Sequence, residues 1–352
     1  MKKRIIAILL AALMLLALTA CGNKAEDPAN EPTETPSATD TTPDDTAETP
    51  DADAETPAGD AKYTVGICQL VQHPALDAAT QGFKDALEEL LGDAVTIDDQ
   101  NASNDSATCA TIVNGFVSSN YDLIMANATP ALQAAVSATN QIPILGTSVT
   151  DYATALEIEG WTGKTGMNVS GTSDLAPLDG QADMIKELFP DAKKVGILYC
   201  SGEANSQYQV NVITPLLEGM GYTVTPYTFA DSNDVTSVTT TACSENDVLY
   251  IPTDNTAASC TEAINNVALP AGIPIVAGEE GIASGCGVAA LSISYYDIGY
   301  ETGKMAYEIL VNGADVSAMD IKFAPQFTKE YNADICSQLN ITVPDDYVAI
   351  GG

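Results

Sequence analysis

A chain of 352 residues is long enough for two domains beyond any leader, and a formal net charge of −35 excludes nucleic acid and anionic lipid headgroups as partners, since both would be repelled. Eight cysteines occur without a single C-x-x-C spacing, so a zinc or thioredoxin-like centre is disfavoured, and no metal or cofactor is expected. Seven of them, Cys68, Cys109, Cys200, Cys243, Cys260, Cys286 and Cys336, cannot all pair within one chain, and Cys68 and Cys200 fall in apolar runs where a thiol acts as a small hydrophobe.

The chain opens with Met1-Lys2-Lys3-Arg4, an apolar run from Ile5 to Leu18, and Thr19-Ala20-Cys21-Gly22. A charged start, an apolar stretch too short to span a bilayer and a small-residue stop make residues 1–21 a secretory leader. Leu18-Thr19-Ala20-Cys21 resembles a bacterial lipobox, which implies lipidation at Cys21 and a protein held outside the cytoplasm on the cell membrane. Residues 22–61 contain Asp, Glu, Thr, Pro and Ala in quantity with no large apolar side chain, and read as a disordered acidic tether of about 35 Å root-mean-square reach.

From Lys62 onward the sequence repeats itself. Lys62-Tyr63-Thr64-Val65-Gly66-Ile67-Cys68 is matched by Lys193-Lys194-Val195-Gly196-Ile197-Leu198-Tyr199, then Tyr121 to Ala126 by Asn246 to Ile251, then Ile142-Pro143-Ile144-Leu145-Gly146 by Ile273-Pro274-Ile275-Val276-Ala277-Gly278. Between these strand-like runs lie helical spacings such as Ala79, Phe83, Ala86, Leu87, Leu90 and Ile213, Leu216, Leu217, Met220. Strands that are apolar throughout, alternating with amphipathic helices, predict an α/β fold of two doubly wound parallel-sheet lobes. The small-residue run Thr165 to Gly171 is the expected first hinge. A helix from Tyr296 to Val311 and strand candidates at Ile321 to Phe323 and Phe327 to Tyr331 suggest two more crossings. The expected division is 62–168 plus about 292–323 for one lobe and 169–291 plus about 324–352 for the other.

In open parallel sheets a ligand sits at the carboxyl ends of the strands, where helix N-termini and free backbone N–H groups gather. That rule selects Gln69, His73, Thr129, Thr147 and Ser148 from the first lobe, and Glu203, Asn205, Ser206, Asp254, Asn255 and Glu279 from the second. Thr129, Thr147, Ser148 and Thr150 offer hydroxyls to a carboxylate, while Asp254, Glu203 and Glu279 offer charge to an ammonium, a pairing that fits a zwitterion. Each hydroxyl or acid also has a plainer role as a helix cap. His73, the only histidine, precedes Pro74 at a helix start and could meet ligand or backbone; Tyr295 and Tyr296 could stack on an aromatic ligand or pack between lobe and helix; Trp161 reads as structural.

Gly66-Ile67-Cys68-Gln69, His73-Pro74-Ala75-Leu76-Asp77, Ala128-Thr129-Pro130, Asn168-Val169-Ser170-Gly171, Pro252-Thr253-Asp254-Asn255 and Tyr295-Tyr296 with Gly299 resemble the ABC transporter substrate-binding family that includes tryptophan- and tyrosine-binding lipoproteins. The resemblance implies a periplasmic-binding-protein type I fold with a three-crossing hinge, a monomer that closes on an aromatic or related amino acid, and an ABC permease as partner. Two departures bear on specificity: Asp151-Tyr152-Ala153 stands where the family usually has Asp-Pro, and the hinge carries Ser170 in place of Thr.

Catalysis is disfavoured, because no G-x-G-x-x-G follows the first strand and no G-x-S-x-G elbow is present. A sugar- or nucleoside-binding lipoprotein of the same fold is the rival reading. Against sugars stands the absence of arginine beyond Arg4. A sensor that presents ligand to a partner is not distinguished from a transporter receptor by sequence.

Overall fold

Strands apolar on both faces are stable only between two layers of helices, and this chain builds that arrangement twice. The computed structural model describes residues 62–351; the expected leader 1–21 with Cys21 and the expected tether 22–61 lie outside the described residues. In chain order the first elements are β1 (Tyr63–Gln69), α1 (Pro74–Leu91), β2 (Val95–Asn101), α2 (Ser106–Ser118), β3 (Leu123–Asn127), α3 (Thr129–Ala138), β4 (Ile144–Thr147), α4 (Tyr152–Ala155) and β5 (Val169–Ser173). There follow α5 (Leu178–Leu188), β6 (Lys194–Cys200), α6 (Ala204–Gly219), β7 (Thr223–Phe229), α7 (Val235–Glu245), β8 (Val248–Ile251), α8 (Asn255–Ser259), α9 (Thr261–Ala271), β9 (Ile275–Ala277), α10 (Glu280–Cys286) and β10 (Ala289–Ser292). The chain ends with α11 (Tyr295–Leu310), β11 (Lys322–Phe323), β12 (Thr328–Tyr331), α12 (Ala333–Leu339) and β13 (Val348–Ala349).

One sheet runs β11-β5-β4-β3-β1-β2 and the other β13-β12-β10-β9-β8-β6-β7. Without the late strands at one edge, both follow the same order, so the sequence repeat is a repeat of doubly wound topology. Every pairing is parallel except β10 with β12. Alternation along β1 explains the two core layers of the first sheet. Val65 and Ile67 pack with Phe83, Leu87 and Met305 on one face, whereas Cys68 joins Val113, Phe116 and Leu132 on the other. Burying a side chain such as Phe83 or Leu87 completely stabilises the fold by about 1.5–3 kcal/mol.

The chain passes between the sheets at 174–177, 293–294 and 324–327. The first of these corrects the expected hinge at Thr165 to Gly171 and the boundary at 168/169. Val169–Ser173 is a strand of the first sheet, with Ile144 beside Val169 and Lys322 beside Thr172. Its polar composition disguised it: Ser170, Thr172 and Ser173 are buried, and their hydroxyls bond Met319 and Asp320 carbonyls, Thr147 and Thr302 hydroxyls, and the Thr150 carbonyl. After the second crossing α11 returns to the first sheet and lies against α1. There a Cβ on Gly299 would stand 1.9 Å from the Ala79 carbonyl oxygen, so only glycine permits that approach.

The seven cysteines of the described residues are free thiols, and all but Cys260 are buried. No described helix is long and apolar enough to cross a membrane. Among the described residues, no group of three or more His, Cys, Asp or Glu side chains is arranged to hold a metal ion.

Candidate functional site between the sheets

The parallel register sets the ends of β1, β3 and β4 side by side, with Gln69 beside Asn127 and Asn127 beside Thr147. Two of the loops that follow are bent into conformations a side chain resists: Ala128 has φ 92° and Ser148 φ 53°. Such strain persists only where surrounding contacts hold it, and it gathers at functional sites. Ala128 is the residue that leads into α3, so the strain serves to aim that helix N-terminus and Thr129.

The first-sheet residues divide into those that build the rim and those with polar atoms left over. Gln69 is engaged on every side: its amide nitrogen donates to the Val71 carbonyl (2.8 Å) and to Asp77 (2.7 Å), and its oxygen accepts from Thr80 (2.6 Å). Thr147 also turns inward, its hydroxyl 3.1 Å from that of Thr172, which lies 2.9 Å from that of Thr302. Thr129 and Ser148 are buried with hydroxyls that have no partner among the described residues. His73 caps α1 without bonding it through its side chain; its Nε2 lies 3.4 Å from Asn255 Oδ1 of the other lobe.

On the second sheet Glu203 is a hub. Its carboxylate accepts from the backbone N–H of Asn255 (3.0 Å) and Thr256 (2.8 Å), the Asn205 and Asn255 amides (3.0 and 2.7 Å) and the Thr256 hydroxyl (2.7 Å). Asp254 caps α8, accepting from the N–H of Ala257 (2.8 Å) and Cys200 (2.7 Å) and from the Ser206 hydroxyl (2.7 Å). Burial, and then the Glu203 charge, push its pKa up. Glu279 caps α10 through the N–H groups of Gly281 (2.7 Å) and Ile282 (2.6 Å), and burial raises it to about 7. The expectation that these three acids await an ammonium is corrected in this respect: all are engaged by donors of the chain, Asp254 and Glu279 capping their own helices and Glu203 holding Asn255 and Thr256 at the start of α8. Tyr296 is corrected likewise, for it is 39% exposed, stacks on Tyr300 and bonds Asp85, on the outer face of α1 and α11.

The acid that sequence reasoning passed over is Asp174, on the first crossing. It is buried, takes a hydrogen bond on Oδ2 from the Tyr295 hydroxyl (3.1 Å) at the second crossing, and has no partner for Oδ1. Burial raises it to about 6 against the opposing hydrogen bonds of Thr150 and Tyr295. The signal was an acid closing the small-residue run Val169 to Ser173, visible once that run is taken as a strand.

Among the described residues, eight buried side-chain polar atoms have no partner there, and six of them lie at or after the carboxyl end of a strand: His73 Nδ1, Asn127 Oδ1, Thr129 Oγ1, Ser148 Oγ, Asp174 Oδ1 and Asn205 Oδ1. Native proteins pair more than nine-tenths of such groups, so their concentration at the strand ends makes these ends the candidate binding surface. The lobes already touch across it, through His73 and Asn255 and through the Asn104 amide donating to the Thr256 hydroxyl at 3.0 Å.

The family model described as ABC transporter substrate binding protein matches residues 64–350. The chain belongs to that family. Its members here are solute-binding proteins, not enzymes, and substrate-binding proteins of ABC transporters act outside the cytoplasm. The chain is 41% identical to a tyrosine-binding protein of Clostridioides difficile (strain R20291) over 249 residues, 70% of this chain and 72% of that one. An ABC domain from Streptococcus pneumonia in complex with L-Trp is 32% identical, with a TM-score of 0.77 over 81% of this chain and 97% of that one. A ligand-free, open substrate binding protein with adhesive properties from Clostridium difficile is 38% identical, with a TM-score of 0.62 over 82% and 99%. These likenesses bear out the periplasmic-binding-protein type I fold expected from the motifs.

Proposed function

We propose that this substrate-binding protein is the lipid-anchored receptor of an ABC importer, and that it grips an aromatic or related amino acid between its two sheets and delivers it to a permease. The observation that carries the reading is the set of buried, partnerless polar atoms at the strand ends. Their chemistry suits a zwitterion. The Thr129 and Ser148 hydroxyls, beside the N-terminus of α3, can donate to a carboxylate, and the free oxygen of Asp174 can accept from an ammonium.

Similarity to a tyrosine-binding and an L-Trp-bound protein supports the ligand class. The closer superposition on the L-Trp-bound relative than on the more identical open one supports a closed arrangement. In that arrangement ligand contacts with both lobes and crossings favour the closed state over the open one, and the three crossings absorb the motion. The lipid-like stop at Cys21 supplies the anchor, since so acidic a surface has no affinity of its own for anionic headgroups. Cys21→Ser should release the protein from membrane fractions; retention there would refute the anchor.

The described residues 62–351 lie within one compact unit, so the chain from Thr56 onward suits a thermal-shift screen. Aromatic amino acids should raise the melting temperature in step with their excess over Kd, while sugars and nucleosides leave it unchanged. A shift with sugars alone, or none with any amino acid, would refute the reading.

A further inference from the structure

The hub at Glu203 fixes more than its own loop. Glu203 Oε2 meets three N–H groups, those of the Asn205 amide, the Asn255 backbone and the Asn255 amide, so it is an acceptor there. The Asn255 side chain is thereby oriented with its nitrogen on Glu203 at 2.7 Å; the reverse orientation would set two acceptors against each other. Its oxygen therefore faces His73 Nε2, and an amide oxygen can only accept. The proton of the His73 ring is on Nε2.

Nδ1 is then either a second N–H, in the imidazolium, or a bare lone pair. His73 is 7% exposed and Nδ1 has no partner among the described residues, so a second N–H would be a buried donor without an acceptor there. Burial also lowers the pKa, against the opposing influence of Asn255, Glu203 and Asp77. The histidine heads α1 without capping it through its side chain, so the lone pair is not spent on the helix. Nδ1 is thus a buried acceptor.

Its place in the sheet says what it would accept from. In the order β5-β4-β3-β1, Asp174 follows β5, Ser148 follows β4, Thr129 follows β3 and His73 follows β1. The ends of β1 and β5 are three strand spacings apart, roughly 14 Å at about 4.8 Å each, with His73 beyond the one and Asp174 beyond the other. One amino-acid head held at β3 to β5 does not cover that distance; an aromatic side chain extends toward it. Resting on the ligand class proposed above, we infer that His73 Nδ1 accepts a hydrogen bond from an O–H or N–H on the ligand's side chain, and that this contact selects tyrosine- or tryptophan-like ligands over phenylalanine. Asn255 and Glu203 are positioning residues that hold the imidazole in the accepting tautomer.

The single histidine makes the test direct. In the Thr56–Gly352 unit labelled with 15N-histidine, the ring spectrum should show protonated Nε2 and bare Nδ1, with the Nδ1 resonance shifting toward the hydrogen-bonded position when tyrosine or tryptophan is added. Calorimetry should find tyrosine binding tenfold or more tighter than phenylalanine and O-methyltyrosine, or tryptophan tighter by as much than its N1-methyl derivative, with most of that ratio lost in His73→Leu. A proton on Nδ1, donor-bearing and donor-free ligands binding equally, or an undiminished ratio in the variant would overturn the inference while leaving amino-acid binding intact. Failure of every aromatic amino acid to bind would overturn the proposed function as well.

Discussion

At the scale of single residues the site turns on which carboxylate is left free. Asp254, Glu203 and Glu279 share the position expected of an ammonium partner, the loop before a helix, yet Asp254 and Glu279 cap their own helices and Glu203 holds the start of α8. Asp174 differs because the residues beside it are not helical, so no row of backbone N–H groups is at hand; burial leaves Oδ1 with no partner in the chain. Replacing it with Asn keeps the shape and removes the charge. Asp174→Asn should weaken amino-acid binding well over tenfold by calorimetry, and unchanged affinity would remove Asp174 from the site. The hydroxyls followed the same logic in reverse: Thr129, Thr147 and Ser148 are alike in sequence, yet Thr147 is consumed by Thr172 while the other two are not.

At the scale of elements, α11 shows how far periodicity reaches. Its apolar spacing is legible as a helix, and the structure begins it at Tyr295 and ends it at Leu310, one residue earlier at each end. What the spacing does not disclose is the neighbour. Gly82, Gly299 and Gly303 allow α11 and α1 to meet at backbone distance; a Cβ on Gly82 would stand 2.1 Å from the Tyr296 carbonyl oxygen. Gly299→Ala should therefore cost about 1–3 kcal/mol by overpacking. Denaturant melts would show it, and a variant as stable as the parent would mean that the two helices separate freely. The strand β5 is the complementary case. Its hydroxyls and glycine read as a linker, because a strand whose buried face is hydrogen-bonded rather than apolar carries no hydrophobic pattern.

For the whole molecule the buried acids predict an unusual response to pH. Burial raises Asp174 to about 6, Glu279 to about 7 and Glu330 to about 7. The native state therefore holds protons that the unfolded chain has released above its ordinary carboxylate range. Stability from these groups is fully present below the unfolded pKa and is lost as pH rises through the folded values. Asp247, Asp315, Asp346 and Glu301 are lowered by their hydrogen bonds, act below the ordinary carboxylate range and do not enter this window. His73 opposes the trend, since a base held neutral costs stability as pH falls through its unfolded value, but it is one group against several. Self-repulsion at a net charge of −35 acts with the carboxyls. The ligand-free protein should melt at a higher temperature at pH 5 than at pH 8; a flat or opposite trend in thermal scans would show that these acids are solvated.

The α/β class, the duplication and the strand ends that bear the site follow from the sequence alone, because hydrophobic periodicity and order of elements are local properties written residue by residue. The strand order of each sheet, the place of the first crossing and the division of polar side chains into engaged and partnerless were decided only by tertiary structure. A hydrogen bond depends on which donor arrives from elsewhere in the chain, and Asn255 reaching Glu203 across 52 positions, or Tyr295 reaching Asp174 across 121, leaves no trace in local pattern.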